Sequence, residues 1–174
     1  MAMARILQIV GYQNSGKTTF LENLIAAAAS KGLEVGTIKH HGHDGQPALA
    51  DAGKDTGKHR SSGAKVTTVE GQGLFNLTAI NKSWSLQEIV KLYEFFALDL
   101  ILIEGFKKEA YSKVVFIRSE EDLVLLKTVT NIKCLITRFP LPETITSQHK
   151  TFKIVEDQDC INWLLENEVG DKHE

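Results

Sequence analysis

Eight consecutive residues, Gly11-Tyr12-Gln13-Asn14-Ser15-Gly16-Lys17-Thr18, place glycine, lysine and a hydroxyl at the spacing G-x-x-x-x-G-K-[ST], with Thr19 next. Each fixed position has a mechanical reason. Gly11 and Gly16 permit backbone turns that a Cβ would obstruct, so successive amide N–H groups converge on phosphate oxygens. Lys17 supplies a compact cation for the terminal phosphates, and the Thr18 hydroxyl suits Mg²⁺. Composition alone would produce about 0.01 such matches in a chain of this length. The match also follows a short apolar run and opens a helical pattern, the context a phosphate loop needs.

Such a loop requires a carboxylate from a neighbouring strand. Glu104 ends the run Leu100-Ile101-Leu102-Ile103 and is followed by Gly105, which places it at the ligand-binding edge of an open sheet. The metal side is therefore assigned to Thr18 and Glu104. A second polar region, His40 to Ala64, contains His40, His41, His43, Asp44, Asp51, Lys54, Asp55, Lys58, His59 and Arg60. Long polar connections in compact domains are usually functional or disordered. Two chemistries stay open for it. His41, His43 and Asp44 have the donor types of a zinc or nickel site. Alternatively, Lys39 and the histidines face phosphates while Asp44 serves Mg²⁺ or an attacking water. Gly53-Lys54-Asp55-Thr56 reads as a turn into a short cationic helix that either holds an anion or is a solvated face.

The elements that must position these residues follow from periodicity. Ile6–Val10, Val35–Ile38, Leu98–Ile103, Val114–Ile117, Ile132–Ile136 and Phe152–Val155 are expected strands. Lys65–Val69 and Leu74–Ile80 suggest a hairpin across Gly71-Gln72-Gly73. Helical spacing starts at Thr18. Ser85-Leu86-Gln87-Glu88 has the form of a capping box, ahead of a helix with Ile89, Val90, Tyr93 and Phe96 on one face. Glu120–Leu126 and Asp157–Glu168 are further helices. Alternating strands and helices define an α/β fold, a three-layer phosphate-loop NTPase with a mostly parallel sheet and helices on both faces.

The 174 residues fit one domain over 1–170 with a frayed tail at 171–174. A formal charge of −2 provides no global basic field, so neither nucleic acid nor a membrane is an expected partner. No apolar run approaches the roughly 20 residues of a membrane span, and the N-terminal one is too short for a signal peptide. The two cysteines, Cys134 and Cys160, lack metal or redox spacing and fit a reducing, cytoplasmic setting.

The motif order is specific beyond the phosphate loop. GKTT is followed by Ile38-Lys39-His40-His41-Gly42-His43-Asp44, by Gly53-Lys54-Asp55-Thr56 with Arg60, and by Ile103-Glu104-Gly105-Phe106-Lys107. In this order the chain resembles the molybdopterin-guanine dinucleotide biosynthesis protein B family, MobB. The resemblance implies a homodimeric GTP-binding adaptor with slow GTP hydrolysis, assisting the guanylyltransferase MobA in attaching GMP to molybdopterin. It further implies that Gly11 to Thr19 hold the triphosphate, that Asp44 and Glu104 serve Mg²⁺ and catalysis, and that Lys39, Lys54, Asp55 and Arg60 line the cleft.

Two departures stand out. The guanine-reading N/T-K-x-D sequence of many GTPases is missing, and Thr137-Arg138-Phe139-Pro140 occupies the corresponding place without an aspartate. Tyr12 fills a loop position where some dimeric relatives carry a lysine that acts across the dimer. Of the four arginines, Arg5, Arg60, Arg118 and Arg138, only Arg60 lies in a loop expected to reach the site. Lacking a transition-state arginine typically slows hydrolysis by orders of magnitude, which suits a switch. A small-molecule kinase using Lys54, Lys58 and Arg60, and a nickel or zinc metallochaperone, are the rival classes.

Overall fold

The structure is a computed structural model that describes residues 4–42, 45, 47–49, 51 and 53–170. In chain order the elements are β1 (Arg5–Val10), α1 (Lys17–Ser30), β2 (Val35–Lys39), α2 (Asp55–Ser61), β3 (Val66–Gly71), β4 (Leu74–Ala79) and α3 (Leu86–Tyr93). They continue with β5 (Leu100–Glu104), β6 (Ser112–Ile117), β7 (Ile132–Thr137), α4 (Glu143–Thr146), β8 (Lys150–Lys153) and α5 (Asp157–Leu164). The chain gathers into two compact units, 1–42 with 90–174, and 43–89.

The larger unit holds a six-stranded sheet in the order β2-β5-β1-β6-β7-β8, with every neighbouring pair parallel. Its central strands β1, β5, β6 and β7 carry apolar runs without alternation because both faces are covered. On one face Leu7 and Ile9 pack with Phe20 and Leu24 of α1 and with Ile161 and Leu164 of α5. On the other, Val10, Val115 and Leu135 pack with Leu125 and Val129. The four residues Leu100 to Ile103 are at most 2% exposed. Each such side chain contributes roughly 1.5–3 kcal/mol relative to exposure. That burial fixes where the strand ends, and so where Glu104 emerges.

Four details depart from the periodic reading. The strand expected over Phe152–Val155 stops at Lys153, where the chain tightens into a 3-10 turn at Ile154–Glu156. There the Lys153 amide donates to Glu156 Oε2 at 3.0 Å. The helix expected over Asp157–Glu168 is α-helical only to Leu164 and continues as a π turn over Leu165–Val169. Glu120–Lys127 is 3-10 throughout. A similar tightening at Glu94–Phe96 rotates Phe96 off the apolar face of α3, leaving it 53% exposed.

The smaller unit is built on the hairpin β3–β4, antiparallel and in register from Val66↔Ala79 to Gly71↔Leu74. Gln72 and Gly73 both adopt positive φ, as a two-residue hairpin turn requires. Arg60 of α2 donates to Thr67 Oγ1 at 2.8 Å, which ties α2 to the hairpin. The capping box forms as expected, with the Ser85 amide donating to Glu88 Oε2 at 2.8 Å and the Glu88 amide donating to Ser85 Oγ at 3.2 Å.

Candidate functional site

Gly11 to Gly16 joins β1 to α1 at the carboxyl edge of the sheet. Gly16 has φ +97, which favours glycine, and a Cβ there would also push against Ile154 Cδ1 at 2.9 Å, the movable end of that side chain. Its carbonyl accepts the Phe20 amide at 3.1 Å and starts the helix. No side chain caps α1, so the amides of its first turn, Lys17, Thr18 and Thr19, face outward with the positive end of the helix dipole. Thr18 and Thr19 are exposed, while Ser15 is 2% exposed and anchors the loop. Asn14 takes positive φ, one of the turns that curls the loop into a cradle.

The Lys17 ammonium folds back on the loop, donating to the Tyr12 carbonyl at 2.6 Å and to Ser15 Oγ at 3.1 Å. Burial pushes its pKa below the usual lysine value. Glu104 opposes this, and the positive charges of Lys107, Lys39 and Arg118 reinforce it. A half-buried ammonium with other cations nearby attracts a polyanion, because bound phosphate compensates the lost hydration and offsets the repulsion.

Glu104 stands in register with Ile9 of β1 and with Lys39 of β2, beside the cradle. Its Oε2 lies 3.1 Å from Lys39 Nζ. After it the chain turns at Gly105, φ +97, where a Cβ would meet His40 Cβ at 2.9 Å. Phe106 follows with φ +52, its ring 4.5 Å from that of His40. This bend is held by a residue that sequence reasoning missed. Gln8, fully buried in β1, donates through Nε2 to the carbonyls of Gly105 and Phe106, both at 3.0 Å. One polar side chain inside the run Ile6–Val10 was the available signal.

Tyr12 is gripped from two directions. Lys107 Nζ lies 4.1 Å from its ring centroid, and the Arg118 guanidinium lies 5.3 Å away. Arg118 also donates to the Gln13 carbonyl at 2.8 Å and is held by Asp122 through two hydrogen bonds, Nε to Oδ2 and Nη2 to Oδ1, both 2.8 Å. Arg138 Nη2 comes within 3.8 Å of the point where a Cβ on Gly16 would sit. The expectation that only Arg60 would reach the loop is thus corrected. Arg118 follows β6, which lies beside β1, and Arg138 follows β7, the next strand out, and spatial adjacency of that kind has no local sequence signal.

Arg60, Lys54 and Asp55 lie in the smaller unit. The Arg60 guanidinium forms a bidentate pair with Asp51, reinforced by Thr56 Oγ1 donating to Asp51 Oδ2 at 2.6 Å. These bonds hold the Asp51 carboxyl well below the usual carboxylate range. Lys54 sits at the N-terminal boundary of α2, and Asp55 pairs with Lys58 at 3.5 Å on an exposed face. His43 and Asp44 lie outside the described residues. Among the described residues no group of three His, Cys, Asp or Glu side chains is placed to hold a metal ion.

A parallel α/β sheet with a glycine-lined, lysine-bearing loop on its first strand and a glutamate on the strand alongside defines a phosphate-loop NTPase-like fold. The family model described as molybdopterin guanine dinucleotide synthesis protein B matches residues 6–138. The probable molybdopterin-guanine dinucleotide biosynthesis adapter protein of Bacillus subtilis is 48% identical over 141 residues, covering 79% of this chain and 80% of the relative. The Escherichia coli molybdopterin-guanine dinucleotide biosynthesis adapter protein is 36% identical over 119 residues, 67% of each chain. The crystal structure of Bacillus subtilis MobB superposes with a TM-score of 0.81 at 41% identity, covering 98% of this chain and 99% of that one. The chain belongs to the MobB family. Among the described residues no helix is long and apolar enough to cross a membrane.

Proposed function

We propose that this protein is a GTP-binding adaptor in the formation of the guanine dinucleotide of molybdopterin, assisting a guanylyltransferase of the MobA kind. The observation that carries the reading is the cradle itself. Uncapped first-turn amides, the left-handed turn at Gly16 and the crowded Lys17 ammonium fit a triphosphate, with the Glu104 carboxylate on the strand alongside. In this reading Asn14, Ser15, Gly16, Lys17, Thr18 and Thr19 hold the phosphates. Thr18 and Glu104 hold Mg²⁺, whose chemistry is to neutralise charge on the phosphate oxygens. Asp44 is assigned to the same metal side by family resemblance alone. The names of its relatives as biosynthesis adapter proteins support a role in assisting a partner in that biosynthesis.

A second copy of the chain fits the smaller unit. Val66, Phe75 and Leu77 project from one face of the hairpin at 57%, 52% and 51% exposure, a density of apolar side chains suited to self-association. The decisive experiment is calorimetric titration of GTP and ATP with Mg²⁺, repeated with the guanylyltransferase present. The expected result is GTP binding that strengthens with the partner. Binding of neither nucleotide, or rapid phosphate transfer to a metabolite, would overturn the proposal.

A further inference from the structure

We propose that Arg138 selects guanine, by donating to the O6 and N7 acceptors of the base. The inference rests on the nucleotide-binding reading above and deepens it.

The cradle has a direction. Glu104 and Lys39 lie on the β5–β2 side of β1, which assigns the metal and the terminal phosphates to that side. A nucleotide seated this way extends its nucleoside toward β6, β7 and β8. Three side chains stand over Gly16 on that flank. Measured from the Cβ position on Gly16, Ile154 Cδ1 is at 2.9 Å, Arg138 Nη2 at 3.8 Å and Phe116 Cε1 at 3.9 Å. Ile154 comes from the turn that ends β8 early, and Arg138 from the loop that ends β7.

The Arg138 loop is held in shape. Buried Thr137 donates through Oγ1 to the Phe139 carbonyl at 2.9 Å and accepts the Phe139 amide at 3.2 Å, which leaves Arg138 exposed at the tip. The other three arginines have their forks engaged, Arg5 by the Glu168 carbonyl, Arg60 by Asp51, and Arg118 by Asp122 and Gln13. Among the described residues the Arg138 side chain has no hydrogen-bond or ion-pair partner.

Its chemistry matches one purine. A guanidinium carries only donors. Guanine presents two acceptors, O6 and N7, on one edge. Adenine offers N7 beside an amino group, so donor meets donor. This recognition needs no aspartate, which accounts for a guanine-binding chain whose Thr137-Arg138-Phe139-Pro140 lacks one. An aspartate would read N1–H and the 2-amino group instead. Ile154 provides the apolar flank for the ring.

The test titrates wild type and Arg138→Leu with four nucleotides in Mg²⁺: GTP, ATP, inosine triphosphate and 7-deaza-GTP. Wild type should bind GTP and inosine triphosphate alike, since both keep O6 and N7. It should bind ATP about 10-fold more weakly and 7-deaza-GTP several-fold more weakly. Arg138→Leu should bring the GTP to ATP ratio near one, and the ratio cancels any change in phosphate affinity. The 7-deaza comparison uses wild type alone, so it holds even if the variant folds poorly. A wild type that binds GTP without preferring it to ATP, loses inosine triphosphate as strongly as ATP, or binds 7-deaza-GTP as well as GTP, overturns this inference alone. So does an Arg138→Leu variant that keeps the preference. Binding of no nucleotide overturns both the inference and the reading beneath it.

Discussion

Lys39 and Glu104 are register partners at the ends of adjacent parallel strands, and their side chains meet at 3.1 Å, Lys39 largely in solvent and Glu104 mostly covered. A divalent cation recruited to Glu104 must compete with that ammonium. An exposed partner of this kind gives way easily, because such pairs contribute about 0–1 kcal/mol. Glu104→Gln should therefore weaken Mg²⁺-dependent GTP binding strongly while leaving metal-free binding unchanged or slightly tighter, since one negative charge near the phosphates is removed. Lys39→Met should lower the Mg²⁺ concentration giving half-maximal binding by a few-fold. Calorimetry with and without metal reads both. Equal effects in the two conditions would rule out the role assigned to Glu104.

Lys17 supports the cradle's function more than its fold. Lys17→Ala should cost about 100-fold or more in GTP affinity, as two or more charge-assisted hydrogen bonds vanish. Thermal unfolding of the nucleotide-free protein should change by no more than about 1 kcal/mol. The pH dependence has a definite sign. Phosphate binding uses the protonated amine, and burial lowers its pKa, so affinity is full below the lowered value and falls as pH rises through it. The loss should begin at lower pH than for an exposed lysine. Because Glu104 raises the Lys17 pKa, Glu104→Gln should move the loss to lower pH still. A GTP titration series across alkaline pH checks this, and an unmoved profile in the Gln variant would sink it.

The Asp51–Arg60 pair ties the smaller unit together and gives it an acid signature. Hydrogen bonds from Arg60, then Thr56, depress the Asp51 pKa in the folded chain. Between the folded and the unfolded values the unfolded chain binds the extra proton, so the stabilisation is complete above the ordinary value of 3.8 and is lost as pH falls below it. Arg60→Met should remove that pH dependence and speed amide exchange in β3 and β4 at neutral pH. Mass-resolved hydrogen exchange at neutral and acid pH measures it. Unchanged protection in the hairpin would contradict the structural role.

The open hairpin face gives the oligomer test. Phe75→Asp combined with Leu77→Asp places two charges among exposed apolar side chains on one face of β4. If that face joins two copies, light scattering should show a shift from dimer to monomer, with the phosphate-loop unit still folded and binding GTP. A variant that stays dimeric would locate the contact elsewhere.

Much of the framework was legible because it rests on local chemistry. The phosphate loop is one contiguous octapeptide, the Ser85–Glu88 box a tetrapeptide, and the Gln72-Gly73 turn is dictated by the positive φ that glycine tolerates. Leu100 to Ile103 announced a strand covered on both faces by having no polar alternation. The ends of elements were less legible. Whether Ile154 continues β8 or turns depends on Glu156 capping the Lys153 amide, a contact that competes with one more strand pair by a margin propensity does not resolve.

The sequence by itself determined that this chain has a glycine-rich loop opening a helix, a glutamate at the end of a buried strand and a parallel α/β sheet to hold both, since those depend on residue type and short spacing. Only the tertiary structure decided which distant side chains attend the cradle. Strand order brings Arg118 and Arg138 from the ends of β6 and β7 to the loop after β1, Gln8 reaches across to hold the bend after Glu104, and Asp51 engages Arg60 within a separate compact unit. The physical reason is range. Backbone preference and periodicity act over a few residues, whereas a guanidinium's neighbours are set by which strands lie side by side, and that is resolved only by packing of the whole sheet.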